Sequence, residues 1–177
     1  MGDELGDLPL FTGSALAAVD AKGRVALPPF VLAALQRRTG CATMIVGAHE
    51  EAPCVAAFDR AEAAALSSEL ERRRLRDEAA GAARTDHHAR ARRAFGLSEE
   101  VALDEKGRIV LPAFLRRKGG IEGTALFVGG GGSVEIWNPE IARRADDEAL
   151  RELAEYRLAE RREFKTTTRA KRKGELK

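Results

Sequence analysis

Little in this chain invites covalent chemistry or a membrane. Its 177 residues hold two cysteines, Cys41 and Cys54, too few for a disulfide framework and at a spacing that suggests no metal knuckle, so a reducing compartment is expected. No apolar run approaches the roughly 20 residues that cross a bilayer. The opening residues, Met1-Gly2-Asp3-Glu4, lack the basic and apolar stretches of a secretory leader, so a cytoplasmic location is expected. Charge of one sign is missing too: the formal net charge is +2, and any attraction to nucleic acid must come from local clustering. Aromatics make up only 5% against 33% charged residues, so the surface must be largely Arg, Lys, Glu and Asp, while 44% apolar residues suffice for a core.

What the chain does have is a repeat. Asp20-Ala21-Lys22-Gly23-Arg24-Val25-Ala26-Leu27-Pro28-Pro29-Phe30-Val31 returns 84 positions later as Asp104-Glu105-Lys106-Gly107-Arg108-Ile109-Val110-Leu111-Pro112-Ala113-Phe114-Leu115, with seven of twelve positions identical. The protein is two copies of one unit, each carrying a turn with Asp, Lys and Arg between apolar segments. Folded together, the copies would display a duplicated basic loop, a design suited to a repeating polymer such as DNA.

Apolar residues alternate on both sides of each turn: Ala17 and Val19 enter and Val25 and Leu27 leave the first, while Val101 and Leu103 enter and Ile109 and Leu111 leave the second. Period-two alternation around a short polar turn predicts a β-hairpin with one buried face. Gly23 and Gly107 stand where such a loop needs φ > 0, and each leading Asp can accept a hydrogen bond from the backbone two residues on. Leu-Pro then opens a short helix in each copy, with Pro28 and Pro112 in its first turn. Phe30, Ala34 and Leu35 supply one buried stripe, Phe114 and Leu115 the other. Strands follow at 43–46 and 54–58 in the first copy and at 125–128 and 134–137 in the second. Asp59 with Glu62 predicts a capping box that opens an Ala-rich helix with Ala63, Leu66 and Leu70 on one side. Gly81 and Thr85-Asp86 divide the 60–95 connector into two helices, and Asn138-Pro139-Glu140 opens a final helix.

Two D-x-K-G-R turns, each followed by a strand ending in Leu-Pro, closely resemble the MraZ family of bacterial transcriptional regulators with tandem SpoVT-AbrB domains. The resemblance runs from about Phe11 to Ala145 and includes Val134-Glu135-Ile136-Trp137-Asn138-Pro139 and the Arg92 to Phe95 approach to the second copy. It implies an α+β fold in which two SpoVT-AbrB-type swapped-hairpin β units form a pseudo-dimeric barrel, with connecting and C-terminal helices. The expected divisions are a first unit at 11–59, a helical connector at 60–95, a second unit at 98–139, a C-terminal helix at 140–164 and a basic disordered tail at 165–177. It further implies a sequence-specific, nucleoid-associated DNA-binding repressor, acting as a homo-oligomeric ring on direct repeats in the promoter of the division and cell-wall gene cluster. The residues this assigns to double-stranded DNA are Asp20, Lys22, Gly23 and Arg24 with Asp104, Lys106, Gly107 and Arg108. Arg can pair bidentately with guanine, Lys suits phosphates, and each Asp can hold its Arg in one rotamer.

The N-terminal extension before Phe11 and the plain strand Cys54-Val55-Ala56-Ala57-Phe58 depart from the family pattern. From Arg161 to Lys177 eight Lys or Arg face two Glu, a local net of +6; nonspecific phosphate attraction and a merely solubilising end are both open readings. Other groups offer less. Gly129 to Gly132 lacks the Gly-Lys-Ser/Thr ending of a phosphate loop and predicts a turn. Adjacent His87 and His88 point apart and have no third ligand at a useful spacing. Cys41, His49 and Cys54 form no recognisable thiol site, and Trp137 is expected to anchor the second unit's core. No acid, base and nucleophile recur with the repeat, so neither an enzyme nor a cofactor or metal is expected. An AbrB-fold antitoxin-like interaction module, with a tail that wraps a partner protein, is the alternative.

Overall fold

A computed structural model of the chain describes residues 8–40, 42–81 and 84–174, the side chains of 84 and 165–174 excepted. The first copy contributes β1 (Ser14–Ala18), β2 (Arg24–Ala26), α1 (Pro29–Arg38), β3 (Thr43–Ala48) and β4 (Val55–Phe58). The connector is α2 (Arg60–Ala79) and α3 (Arg84–Ala91), continued by a π-helical turn at Arg92–Gly96. The second copy repeats the series as β5 (Ser98–Ala102), β6 (Arg108–Val110), α4 (Ala113–Lys118), β7 (Thr124–Gly129) and β8 (Val134–Trp137), and α5 (Pro139–Ala142) and α6 (Glu148–Gly174) follow.

The strands do not pair as simple hairpins. Only Val19 and Val25 bridge β1 to β2 beyond the first turn; past it, β1 runs antiparallel to β7 and β2 to β6, while β5 pairs with β3. The six-stranded sheet therefore reads β1-β7-β8-β4-β3-β5, a palindrome in which each strand and its repeat occupy mirrored places, and β2 and β6 form a separate ribbon. The fold class is α+β, but the main sheet is open at β1 and β5 and the described strands close no barrel. The physical reason is that β2 and β6, three residues each, pair with one another in a separate ribbon instead of sealing the edges of the main sheet.

Period-two burial holds this arrangement together. Val25 and Ile109, opposite one another on the ribbon, are each 1% exposed, and they join Leu27, Leu111, Val31, Leu35, Leu115, Met44, Val46, Phe127 and Ile136 in one core. Burial of each such aliphatic side chain is worth about 1.5–3 kcal/mol. Phe114 departs from expectation: on α4 Leu115 is buried, whereas Phe114 is 47% exposed. Trp137 does anchor a core, a second cluster with Cys54, Leu126, Ala142 and Ala154.

Helix ends follow the capping signals. Asp59 accepts from the Glu62 backbone N-H at 2.9 Å to open α2, and Gly81, at φ +78°, ends it. Asn138 caps α5, but that helix stops at Ala142. Asp147, accepting from the Leu150 N-H at 2.9 Å, starts a new one. The single helix expected at 140–164 is thus two, and the second continues to Gly174 where a disordered tail was expected. Residues 175–177 lie outside the described residues. Arg157 donates to Ser14 Oγ and Arg161 to Thr124 Oγ1, docking α6 on β1 and β7. No helix among the described residues is long and apolar enough to cross a membrane.

Sequence reasoning missed the ion pair beneath the connector. Arg38 Nε donates to Asp59 Oδ2 at 2.5 Å, both side chains being nearly sealed from solvent, and a second Arg38 nitrogen donates to the Pro9 carbonyl. The same guanidinium lies over the Phe11 ring. One carboxylate therefore caps α2 and neutralises the buried end of α1.

Candidate nucleic-acid interface

The two tips are built alike, bond for bond. Asp20 Oδ1 accepts from the backbone N-H of Lys22 and of Arg24, both at 2.9 Å, while Oδ2 accepts from Arg24 Nε at 2.6 Å. Asp104 Oδ1 accepts from Lys106 and Arg108 at 2.9 and 3.0 Å, and its Oδ2 from Arg108 Nε at 2.7 Å. In each turn the Gly N-H donates to the Asp carbonyl at 2.9 Å, with Gly23 at φ +82° and Gly107 at φ +68°, the left-handed region that favours glycine. The hydrogen bond from the Arg24 backbone, then that from its side chain, holds the Asp20 carboxyl below its ordinary value, and the Arg108 backbone does the same for Asp104. Each Asp thus stays ionised and keeps its arginine in one pose.

Where the tips lie is decided by the ribbon. Arg24 stands opposite Val110 and Ala26 opposite Arg108. Since Val25 and Ile109 point into the core, these four side chains share the outward face. Arg24 and Arg108 are diagonal neighbours on it, a backbone separation of about 7–8 Å. Their side chains are 45% and 37% exposed, Lys22 and Lys106 are exposed beside them, and Val110 is 51% exposed between them. Nε of each arginine is occupied by its Asp, and among the described residues the terminal nitrogens make no hydrogen bond. Such a face presents two aimed forks of N-H donors, two point charges and one apolar contact, a set matched to guanine edges, phosphates and a thymine methyl.

The copies also lock one another. Leu27 N-H donates to the Gly107 carbonyl at 3.0 Å and Leu111 N-H to the Gly23 carbonyl at 2.9 Å, so each tip is tied to the other copy's Leu-Pro. Gly23 packs against Arg116 and Gly107 against Leu32, which are repeat-related positions with different side chains. The 84-residue offset was the signal that could have drawn attention to Arg116.

The remaining candidates resolve into structural roles or lie outside the description. Gly129 to Gly132 forms the β7–β8 turn, and Gly131 pairs with Phe11 through hydrogen bonds of 2.8 and 3.2 Å, a backbone approach that larger residues would obstruct at Gly129. His49 Nδ1 accepts from the Glu51 and Ala52 backbones and Cys54 is buried, its thiol pushed up by burial; Cys41 lies outside the described residues. The His87 and His88 rings meet edge to face, and among the described residues no group of three metal-ligating side chains gathers.

Comparison with known proteins relates the chain to one family. A family model described as "MraZ protein, putative antitoxin-like" matches residues 94–161. The transcriptional regulator MraZ of Gluconacetobacter diazotrophicus is 31% identical over 144 residues, covering 80% of this chain and 87% of that protein. Its namesake in Rhodospirillum rubrum is 35% identical over 129 residues, 73% of this chain and 79% of the relative. The one in Symbiobacterium thermophilum is 33% identical over 134 residues, 75% and 86% respectively.

Proposed function

The chain belongs to the MraZ family, whose members bear the name of transcriptional regulators, and we propose that it regulates transcription by binding double-stranded DNA with the outward face of its β2–β6 ribbon. The observation that carries this reading is the placement of Arg24 and Arg108 on one exposed face, each pinned by an identical Asp turn. An arginine already held in its binding pose loses less rotamer freedom on contact, and its terminal nitrogens pair with guanine O6 and N7. Lys22 and Lys106 neutralise flanking phosphates, a contact that positions without specifying sequence.

On this reading the two copies in one chain do the work of two subunits of a pseudo-dimer, and homo-oligomers arranged as a ring set several ribbons against spaced direct repeats. Multivalency then supplies the affinity one ribbon lacks. The promoter of the division and cell-wall gene cluster is the proposed target and repression the proposed outcome, on the nucleoid. The antitoxin-like reading needs a free C-terminal segment, whereas α6 is docked on β1 and β7 through Arg157 and Arg161.

The experiment is selection of duplexes from a random-sequence pool, followed by anisotropy titrations. Arg24→Ala and Arg108→Ala should each weaken binding to the selected box by about 1–3 kcal/mol and relax preference at one position, while Lys22→Ala should weaken all duplexes alike. Both arginine variants binding as wild type does would overturn the assignment.

A further inference from the structure

The palindromic strand order gives the ribbon a pseudo-two-fold axis, and two equal tips would favour an inverted-repeat box. The tips are not equal. Arg116, half-buried on α4, lies against Gly23, and its Nε is buried without a hydrogen-bond partner. No ion pair engages Arg116 among the described residues. At the repeat-related place beside Gly107 stands Leu32. The first tip therefore sets Lys22, Arg24 and Arg116 against Asp20, an excess of two positive charges. In the second, Asp104 and Glu105 cancel Lys106 and Arg108, and where the first copy has Ala21 the second has the exposed carboxylate of Glu105. Leu32, Asp104 and Glu105 line one shallow cleft, so the flank that is cationic at the first tip is apolar and acidic at the second.

Building on the DNA-binding reading, we infer that Arg116 is a further phosphate-binding residue, that the first tip is the anchoring one, and that each chain consequently reads a box with a direction. A directional reader fits repeats laid head to tail, because every copy can then seat its anchoring tip on the same side of its box.

The test is anisotropy against the duplex selected by the wild-type chain, across a salt series, with the melting temperature of each variant recorded. Arg116→Gln should lower the slope of log K against log salt by about 0.9, the loss of one phosphate contact. It should weaken binding severalfold and leave the preferred sequence unchanged. Arg116→Lys should retain the slope. Glu105→Ala, which removes an exposed charge from the second tip, should tighten binding and supports or overturns the inference even if Arg116→Gln lowers the melting temperature. Arg116→Gln with wild-type stability and an unchanged slope, or Glu105→Ala without a gain, overturns the inference while the DNA-binding reading stands. A wild-type chain that enriches no duplex overturns both.

Discussion

Alanine at Gly23 and at Gly107 makes the same chemical change in the same turn, yet the two should differ in cost. Both glycines have positive φ, +82° and +68°, and a Cβ in that region costs about 1–2 kcal/mol. Beyond this the surroundings diverge. At Gly107 the new methyl would sit 3.0 Å from Leu32 Cδ1, the end of a flexible side chain. At Gly23 it would sit 2.8 Å from the Leu111 carbonyl oxygen and 2.7 Å from Arg116 Nε. That carbonyl cannot swing away cheaply, since Leu111 is 1% exposed and its N-H donates to the Gly23 carbonyl at 2.9 Å. Overpacking a fixed neighbour costs about 1–3 kcal/mol. Gly107→Ala should therefore lose about 1–2 kcal/mol and Gly23→Ala about 2–5 kcal/mol. At about 2–4 °C per kcal/mol for a chain of this size, circular-dichroism melts should separate the two variants by several degrees. Equal costs, or a larger one at Gly107, would refute the cross-copy locking of the first tip.

Two further outcomes follow from the ion pairs. Asp59→Ala strips the counter-charge from Arg38 and uncaps α2, and should cost about 3–5 kcal/mol, towards the low end because the Glu62 carboxylate, 3.7 Å from Arg38, remains. Asp59→Asn should cost less because the amide oxygen still caps; urea unfolding measures both, and a loss below about 1 kcal/mol for Asp59→Ala would sink the account. Acid should loosen the tips. The folded-state pKa values of Asp20 and Asp104 lie below the ordinary 3.8. Their contribution is accordingly complete above 3.8 and is lost as pH falls through the depressed values. Melting temperature from pH 6 downwards should fall less steeply in Asp20→Asn/Asp104→Asn than in wild type, and parallel curves would refute the linkage.

Local chemistry was legible in the residues. The D-x-K-G-R turns, the φ > 0 glycines, the Asp59 and Asn138 caps and the Gly81 break all form as their side chains and backbone freedoms dictate, because each involves atoms within four residues of one another. The 84-residue repeat likewise identified both arginines and both lysines. Less legible was what each strand does beyond its turn. The period-two pattern of Val25 and Leu27 is satisfied equally by a hairpin with β1 or by pairing with β6, and pattern alone cannot choose between partners that bury the same face.

The amino-acid sequence by itself determined the two tips, down to the hydrogen bonds that pin each arginine, since those bonds are short-range and repeat with the residues that make them. Tertiary structure decided that β2 and β6 pair, that Arg24 and Arg108 therefore share one face, that Asp59 reaches across to Arg38, and that Arg116 backs the first tip where Leu32 backs the second. Those relations join residues far apart in the chain, and their energy comes from burying two copies against one another, a gain no single copy can make alone.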